Sequence, residues 1–360
     1  MNICIVAGAR PNFVKVAPII HAIENAAAQG RDIAYTLVYA GSDTDATLEP
    51  SLFSDLQIDG PGVFLGVECE NLNELTGQVM SAFERYLQGN KTDVVIVVDD
   101  LASTMAAAIV TKKQGVTLAH LVAGTRSFDI SMPKEINRLV IDGLSDLLFT
   151  AGMSANSITN REGAEQSRVY MVGNILIDNL RHNHDRWKEP EIVGRLGLEP
   201  GRYIVFTLNR RALMADEQKL ERMLREITDK AAGVPVVAPL RGRAAELVGR
   251  LSAITVVEPL GYLEFGWLTA HALGIITDSG NVAEEATFNG VPCITLNSYT
   301  EHIETVKVGS NVLVGEDAGR LGEEVSRMVA GEWKASAIPD RWDGRSAERI
   351  IQILADYQRK

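Results

Sequence analysis

Thr277-Asp278-Ser279-Gly280-Asn281-Val282-Ala283-Glu284-Glu285-Ala286 lies between two apolar runs. Leu273, Ile275 and Ile276 precede it, and Val291-Pro292-Cys293-Ile294-Thr295-Leu296 follows. A buried strand that stops at Asp-Ser-Gly, turns into a helix and resumes as a strand is one βαβ unit of a parallel sheet. The helix start presents free backbone N–H groups and the positive end of a dipole. Such a terminus holds a phosphate. Glu284-Glu285, a turn and a half later, does not suit a phosphate but accepts hydrogen bonds from a ribose diol. One nucleoside diphosphate satisfies both ends. The competing reading is an ordinary turn, with Ser279 near the N-cap and two solvated glutamates.

The same alternation extends in both directions. Strand-like runs at 3–7, 34–39, 94–98, 117–122, 147–149 and 169–172 alternate with helical spacing at 13–28, 103–113 and 136–143. The pattern restarts with strands at 202–208, 234–238, 254–256, 274–276 and 293–296 and an amphipathic helix at 216–231. A polar stretch with Trp187-Lys188-Glu189-Pro190 and Glu199-Pro200-Gly201 separates the two sets. The expected organisation is α/β, with two Rossmann-like domains facing a central cleft. The first spans 1–180 and the second, nucleotide-binding, 181–340. A final helical segment, 341–360, needs a core to cover and either packs on the second domain or crosses back to the first. Ligands of such sheets bind beyond the carboxyl ends of the strands.

Net charge of −12 over 360 residues argues against a general nucleic-acid-binding surface. Cys4, Cys69 and Cys293 are widely separated and lack CxxC spacing, which fits a reducing cytoplasm. No segment resembles a signal peptide, and no apolar run is long enough to span a membrane. The histidines show no metal-ligand spacing, and neither a Walker loop nor GxGxxG is present. No metal or cofactor is therefore expected.

Other strand ends carry charge. Gly8-Ala9-Arg10-Pro11, with Lys15 in the next helix, offers a guanidinium for a phosphate or simply a surface arginine. Asp99-Asp100 precedes the helix opening at Ser103-Thr104; a carboxylate there serves as acid, base, sugar-hydroxyl acceptor or helix cap. His120 to Arg126 and Pro133-Lys134-Glu135-Ile136-Asn137-Arg138 flank another turn. Asn209-Arg210-Arg211 and Arg241-Gly242-Arg243 gather arginines at neighbouring strand ends of an acidic chain.

Taken in order, these loops resemble the non-hydrolysing UDP-N-acetylglucosamine 2-epimerases, a family with the two-Rossmann-domain GT-B fold. Gly8 to Pro11 with Lys15 matches the opening GTRPE…K. Asp100 with Ser103-Thr104 matches GDTxST; residues 120–126 resemble HVEAGLR, and 133–138 resemble PEExNR. Gly173-Asn174 with Asp178 matches GNxxxD, Glu258-Pro259-Leu260 with Tyr262 matches EPLxY, and 277–285 matches TDSGGxQEE.

The resemblance implies that Arg10, Ser279 and Glu285 hold UDP. Lys15, Arg210, Arg211, Arg241, Gly280 and His302 join them as expected substrate-binding residues, and Asp100, Lys134 and Glu135 form the expected catalytic set. Family chemistry removes the proton at sugar C2, expels UDP to leave a glycal, and re-adds it on the other face. A cytoplasmic homodimer acting on a UDP-sugar in polysaccharide biosynthesis is also implied. Several motif positions differ here. Val122 stands for the Glu of HVEAGLR, Lys134 for the first Glu of PEExNR and Asn209 for the His of HRRE. Arg241 replaces the His of PxHxNP, His302 replaces the Arg of TTERPE, and residues 40–43 replace TGQH. These replacements open two alternatives: glycosyl transfer or elimination on the same fold, and a catalytically silent UDP-sugar-binding protein.

Overall fold

The computed structural model describes residues 1–165 and 168–357. They form two compact units, Met1–His182 with the C-terminal stretch from Asp340, and Asn183–Pro339. In the first unit a sheet of seven strands has the order β3-β2-β1-β4-β5-β6-β7. These are β1 (Asn2–Ala7), β2 (Ala34–Tyr39), β3 (Val63–Phe64), β4 (Val94–Val98), β5 (Thr117–Ala123), β6 (Leu147–Thr150) and β7 (Val169–Met171). In the second unit β8 (Ile204–Phe206), β9 (Val236–Pro239), β10 (Thr255–Val257), β11 (Gly274–Thr277), β12 (Cys293–Thr295) and β13 (Asn311–Leu313) are ordered β10-β9-β8-β11-β12-β13. Every pairing in both sheets is parallel. Both units are thus the parallel α/β layers that the alternation predicts.

Strand sequence follows burial. Val94–Val98 is apolar at every position because helices cover both faces of a central parallel strand, and all five residues are fully buried. The helix behind it, Ala102–Lys113, is rich in alanine and lies against the helix Leu72–Gly89; Ala106, Ala107 and Ala108 are all buried. The last helix, Ser346–Tyr357, buries Ile350, Ile351 and Leu354 and packs against the helix Arg10–Ala28 of the first unit. Asp178 accepts a 2.7 Å hydrogen bond from the Ala347 amide at its start, and Trp342 Nε1 donates to the Ala151 carbonyl at 3.1 Å.

Two edge strands escape the sequence pattern. β3 has two residues and β13 three, too few to display a period. The helix expected from Ile136 begins at Pro133, since proline suits the first helical turn, where its missing N–H costs nothing. Strand order reverses between β1 and β4 in one sheet and between β8 and β11 in the other. Ligands of open α/β sheets bind at such points, where neighbouring loops diverge. Among the described residues no helix is long and apolar enough to cross a membrane.

Candidate functional site

The loop after β11 faces the loop after β8 across the second reversal point. Thr277 Oγ1 lies 2.6 Å from Thr207 Oγ1 and accepts from the Ser279 amide at 3.0 Å. Asp278 Oδ2 accepts the amides of Asn209 at 2.7 Å and Arg210 at 2.5 Å, tying the two loops together. Ser279 is the N-cap of the helix Gly280–Asn289. A Cβ at Gly280 would lie 2.9 Å from Cδ2 and 3.1 Å from Nε2 of His302, so the imidazole rests on the first residue of the helix. His302 Nδ1 is 2.7 Å from Glu284 Oε1, and the Glu284 side chain is buried.

Glu285 is 9 % exposed and has no hydrogen bond or ion pair among the described residues. Burial, with Glu284 adding its charge, pushes its pKa up to about 8. Buried carboxylates ordinarily have donors. Neither glutamate is therefore the solvated surface residue of an ordinary turn. Arg210 makes loose contacts of 3.4 Å to the Leu296 carbonyl, Asn297 Oδ1 and Glu316 Oε1. Arg211 and Arg241 are exposed and without an ion pair among the described residues. Arg243 is instead paired with Glu217 at 2.5 Å and Glu246 at 2.7 Å.

The first unit arranges its strand ends differently. Gly8 leaves no room for a side chain, because a Cβ there would stand 2.0 Å from Ser103 Oγ. Asn12 Oδ1 accepts the amides of Gly8 at 2.9 Å and Ala9 at 3.1 Å, which fixes the turn after β1. Arg10 opens the following helix, half-buried, with no ion pair among the described residues. Asn12 Nδ2 donates to Asp99 Oδ2 at 2.9 Å, and Lys15 Nζ lies 2.6 Å from Asp99 Oδ1. Lys15, expected among the substrate-binding residues, is paired with this carboxylate.

Asp100 receives two nitrogens of Arg138 on Oδ2, at 2.6 and 2.8 Å, and Lys134 at 3.5 Å on Oδ1. Burial opposes its ionisation, but Lys134 and Arg138 outweigh burial and hold the carboxyl below the usual range. Lys134 is 58 % exposed at its side chain. Glu135, only 2 % exposed, accepts from the Ser127 and Phe128 amides at 2.9 Å, from Ser127 Oγ at 3.0 Å and from Arg138 at 3.1 Å. Burial works against its charge as well, yet these donors keep its pKa low. Glu135 pins the loop before its own helix. Behind this layer His120 Nδ1 is 2.6 Å from Asp142 Oδ1, Arg126 is 2.7 Å from Asp142 Oδ2, and Arg126 reaches Glu162 at 2.6 Å. Val122 follows Leu121, at a shift in the β5–β6 register, with φ 71°. A β-branched residue in that region is strained.

Residues 25–355 match the family described as UDP-N-acetylglucosamine 2-epimerase. The UDP-N-acetylglucosamine 2-epimerase of Methanocaldococcus jannaschii is 33% identical, over 98% of this chain and 99% of its own. The chain belongs to the UDP-N-acetylglucosamine 2-epimerase family. A Pseudomonas aeruginosa member, UDP-2,3-diacetamido-2,3-dideoxy-D-glucuronate 2-epimerase, is also 33% identical, over 99% of each chain. The crystal structure of the M. jannaschii enzyme in complex with UDP-GlcNAc and UDP superposes with a TM-score of 0.85 at 31% identity, covering 99% of this chain and 100% of that one. The fold of this 2-epimerase-family chain is accordingly of the GT-B type.

In this family member the expected residues fall into separate groups. Arg10, Lys15, Asp100, Lys134 and Glu135 lie in the first unit; Arg210, Arg211, Arg241, Ser279, Gly280, Glu285 and His302 lie in the second. Asp100, Lys134 and Glu135 are brought together around Arg138. Sequence reasoning passed over Asn12, Asp142 and Glu162, and noted Asp99 only as the neighbour of Asp100. The available signal was local: Asn12 occupies the Glu position of GTRPE, and Asp99 the Gly position of GDTxST.

Proposed function

We propose that this chain is a nucleotide-sugar 2-epimerase that binds a UDP-sugar carrying a 2-acetamido group and inverts C2 by eliminating and re-adding UDP. The observation that carries the nucleotide part is Glu285, a nearly buried carboxyl without a donor, next to a capped helix N-terminus. A ribose diol supplies the missing donors. The Ser279 hydroxyl and the Gly280 end of the helix receive phosphate oxygens, and Arg210, Arg211 and Arg241 supply positive charge to them. In the elimination a base takes the C2 proton, the C2–H pair forms the C1=C2 bond, and the C1–O pair leaves on the β-phosphate. The cations and helix dipole stabilise charge that grows on that oxygen. Asp100, with Lys134 beside it, handles a proton at C2, and Glu135 sets the loop and Arg138 that hold Asp100.

The named relatives act on sugars that differ beyond the 2-acetamido group, so the substrate class is stated at that shared feature. A cytoplasmic homodimer serving polysaccharide biosynthesis completes the proposal. Val122, which cannot move a proton, favours a second reading, glycosyl transfer. Incubation with UDP-N-acetylglucosamine separates the two. Formation of the 2-epimer without an acceptor supports the epimerase; UDP release that requires an acceptor, with no epimer, supports transfer and overturns it.

A further inference from the structure

Resting on the epimerase reading, we propose that Asp99 is a second proton-transferring carboxylate of this site, standing on the strand beside the one whose family glutamate has become Val122. The sheet register pairs Val98 with Leu121, so the next positions along β4 and β5 are Asp99 and Val122. The Asp99 amide donates to the Leu121 carbonyl at 3.3 Å, keeping the two strand ends together. A carboxylate missing from the end of β5 is present at the end of β4, at the reversal point of the sheet.

Three observations single out Asp99. Its backbone is left-handed, with φ 58°, a conformation that Asp tolerates better than most side chains but that still costs free energy. That cost accompanies a built setting: Oδ1 accepts from Lys15 and Oδ2 from Asn12, whose own oxygen fixes the turn carrying Arg10. Second, the buried carboxylates nearby are committed. Glu135 is occupied by backbone amides and Arg138, and Asp142 by His120, Arg126 and the Gly124 amide. Asp99 keeps 18% of its side chain exposed and has lone pairs beyond the two in use. Third, the motif positions exchange character: the Glu of GTRPE is Asn12 and the Gly of GDTxST is Asp99. A carboxylate stands at the end of β4 where the motif has Gly, and the amide of Asn12, in the first turn of the helix after β1, donates to it.

Inversion at C2 requires a proton acceptor on one face and a donor on the other. Asp100 with Lys134 supplies one and Asp99 with Lys15 the other. Asp99 takes the C2 proton and becomes a neutral acid as the C1–O bond breaks to UDP. It returns that proton to solvent while the opposite group protonates C2 as UDP re-adds. In the reverse direction the roles exchange.

The test is exchange of the C2 hydrogen of UDP-N-acetylglucosamine in heavy water, with UDP affinity and the thermal midpoint measured alongside. Asp99→Asn is expected to slow exchange by roughly 10²–10⁴-fold and to leave UDP affinity within threefold. Exchange in Asp99→Asn within threefold of an active wild type overturns the role of Asp99 and leaves the epimerase reading standing. No exchange or epimer in the wild type overturns both. Should Asp99→Asn fail to fold without its ion pair to Lys15, the double variant Asp99→Asn with Lys15→Met removes the buried charge and is judged by the same criterion. Recovery of at least a tenth of the wild-type rate in Asp99→Glu, with no recovery in Asp99→Ala, separates proton transfer from a merely structural tie; equal rates in the two contradict the role.

Discussion

The two sheets end their central strands in opposite ways. In the first unit the charges after β4 and β5 are held by partners: Lys15 by Asp99, Arg138 by Asp100 and Glu135, and Arg126 by Asp142 and Glu162. In the second unit the segments after β8, β9 and β11 leave Arg211, Arg241 and Glu285 without ion pairs among the described residues. Paired charges fix side chains in one geometry, as proton transfer demands. Unsatisfied groups around a helix N-terminus await a ligand that completes them. In the proposed function, positioning of the chemistry falls to the first unit and capture of the nucleotide to the second.

The sharpest way to break this contrast is Asp100→Asn. It should lower turnover by roughly 10²–10⁴-fold while calorimetry finds UDP affinity unchanged; a parallel loss of affinity would merge the two roles. Ser279→Ala combined with Glu285→Ala should do the reverse at the level of binding, weakening UDP by about 10–100-fold through lost hydrogen bonds, some to charged groups. Unchanged affinity would refute the placement.

Glu285 also makes the contrast visible as a function of pH. Its folded pKa, about 8, is raised above the ordinary 4.5, so the fold favours the neutral acid. The stability this gives is fully present below pH 4.5 and is lost as pH rises through 8. Glu285→Gln mimics the neutral form. It should therefore match the wild type near pH 4.5 and exceed it by pH 8 by on the order of a few kcal/mol, read from denaturant midpoints. Parallel curves for the two proteins would contradict the buried, donor-free carboxyl. A ligand diol prefers the carboxylate, so wild-type UDP affinity should rise with pH towards 8, and less so in the variant.

The smallest effect concerns Val122. Glycine adopts φ 71° without strain, so Val122→Gly should stabilise the first unit by about 1 kcal/mol. The corresponding thermal midpoint rises by roughly 2–4 °C. A lower midpoint would mean that the valine side chain contributes more packing than its backbone costs.

How much of this was legible in the sequence follows from range. β1 and β4 were readable because a strand buried on both faces is apolar nearly throughout, as Val94–Val98 is. The Ser279-Gly280 turn was readable because capping is a local event. The ties that define the first unit's site were not. Asn12 and Lys15 meet Asp99 across 87 and 84 residues, and no local pattern announces such a pairing. Glu135 was expected in the catalytic set from its position in the motif that resembles PEExNR. Its occupation by the Ser127 and Phe128 amides depends on a loop path that composition does not encode. The burial of Glu284 and Glu285 likewise follows from tertiary packing, since the same pair reads equally well as solvated.

The central claim is that C2 of a UDP-sugar loses and regains a proton on this protein. Proton NMR of UDP-N-acetylglucosamine incubated with the wild-type chain in heavy water tests it most directly. The account predicts accumulation of the 2-epimer with deuterium at C2. An epimer that retains protium at C2, or a substrate left unchanged by a protein that binds UDP, would contradict it.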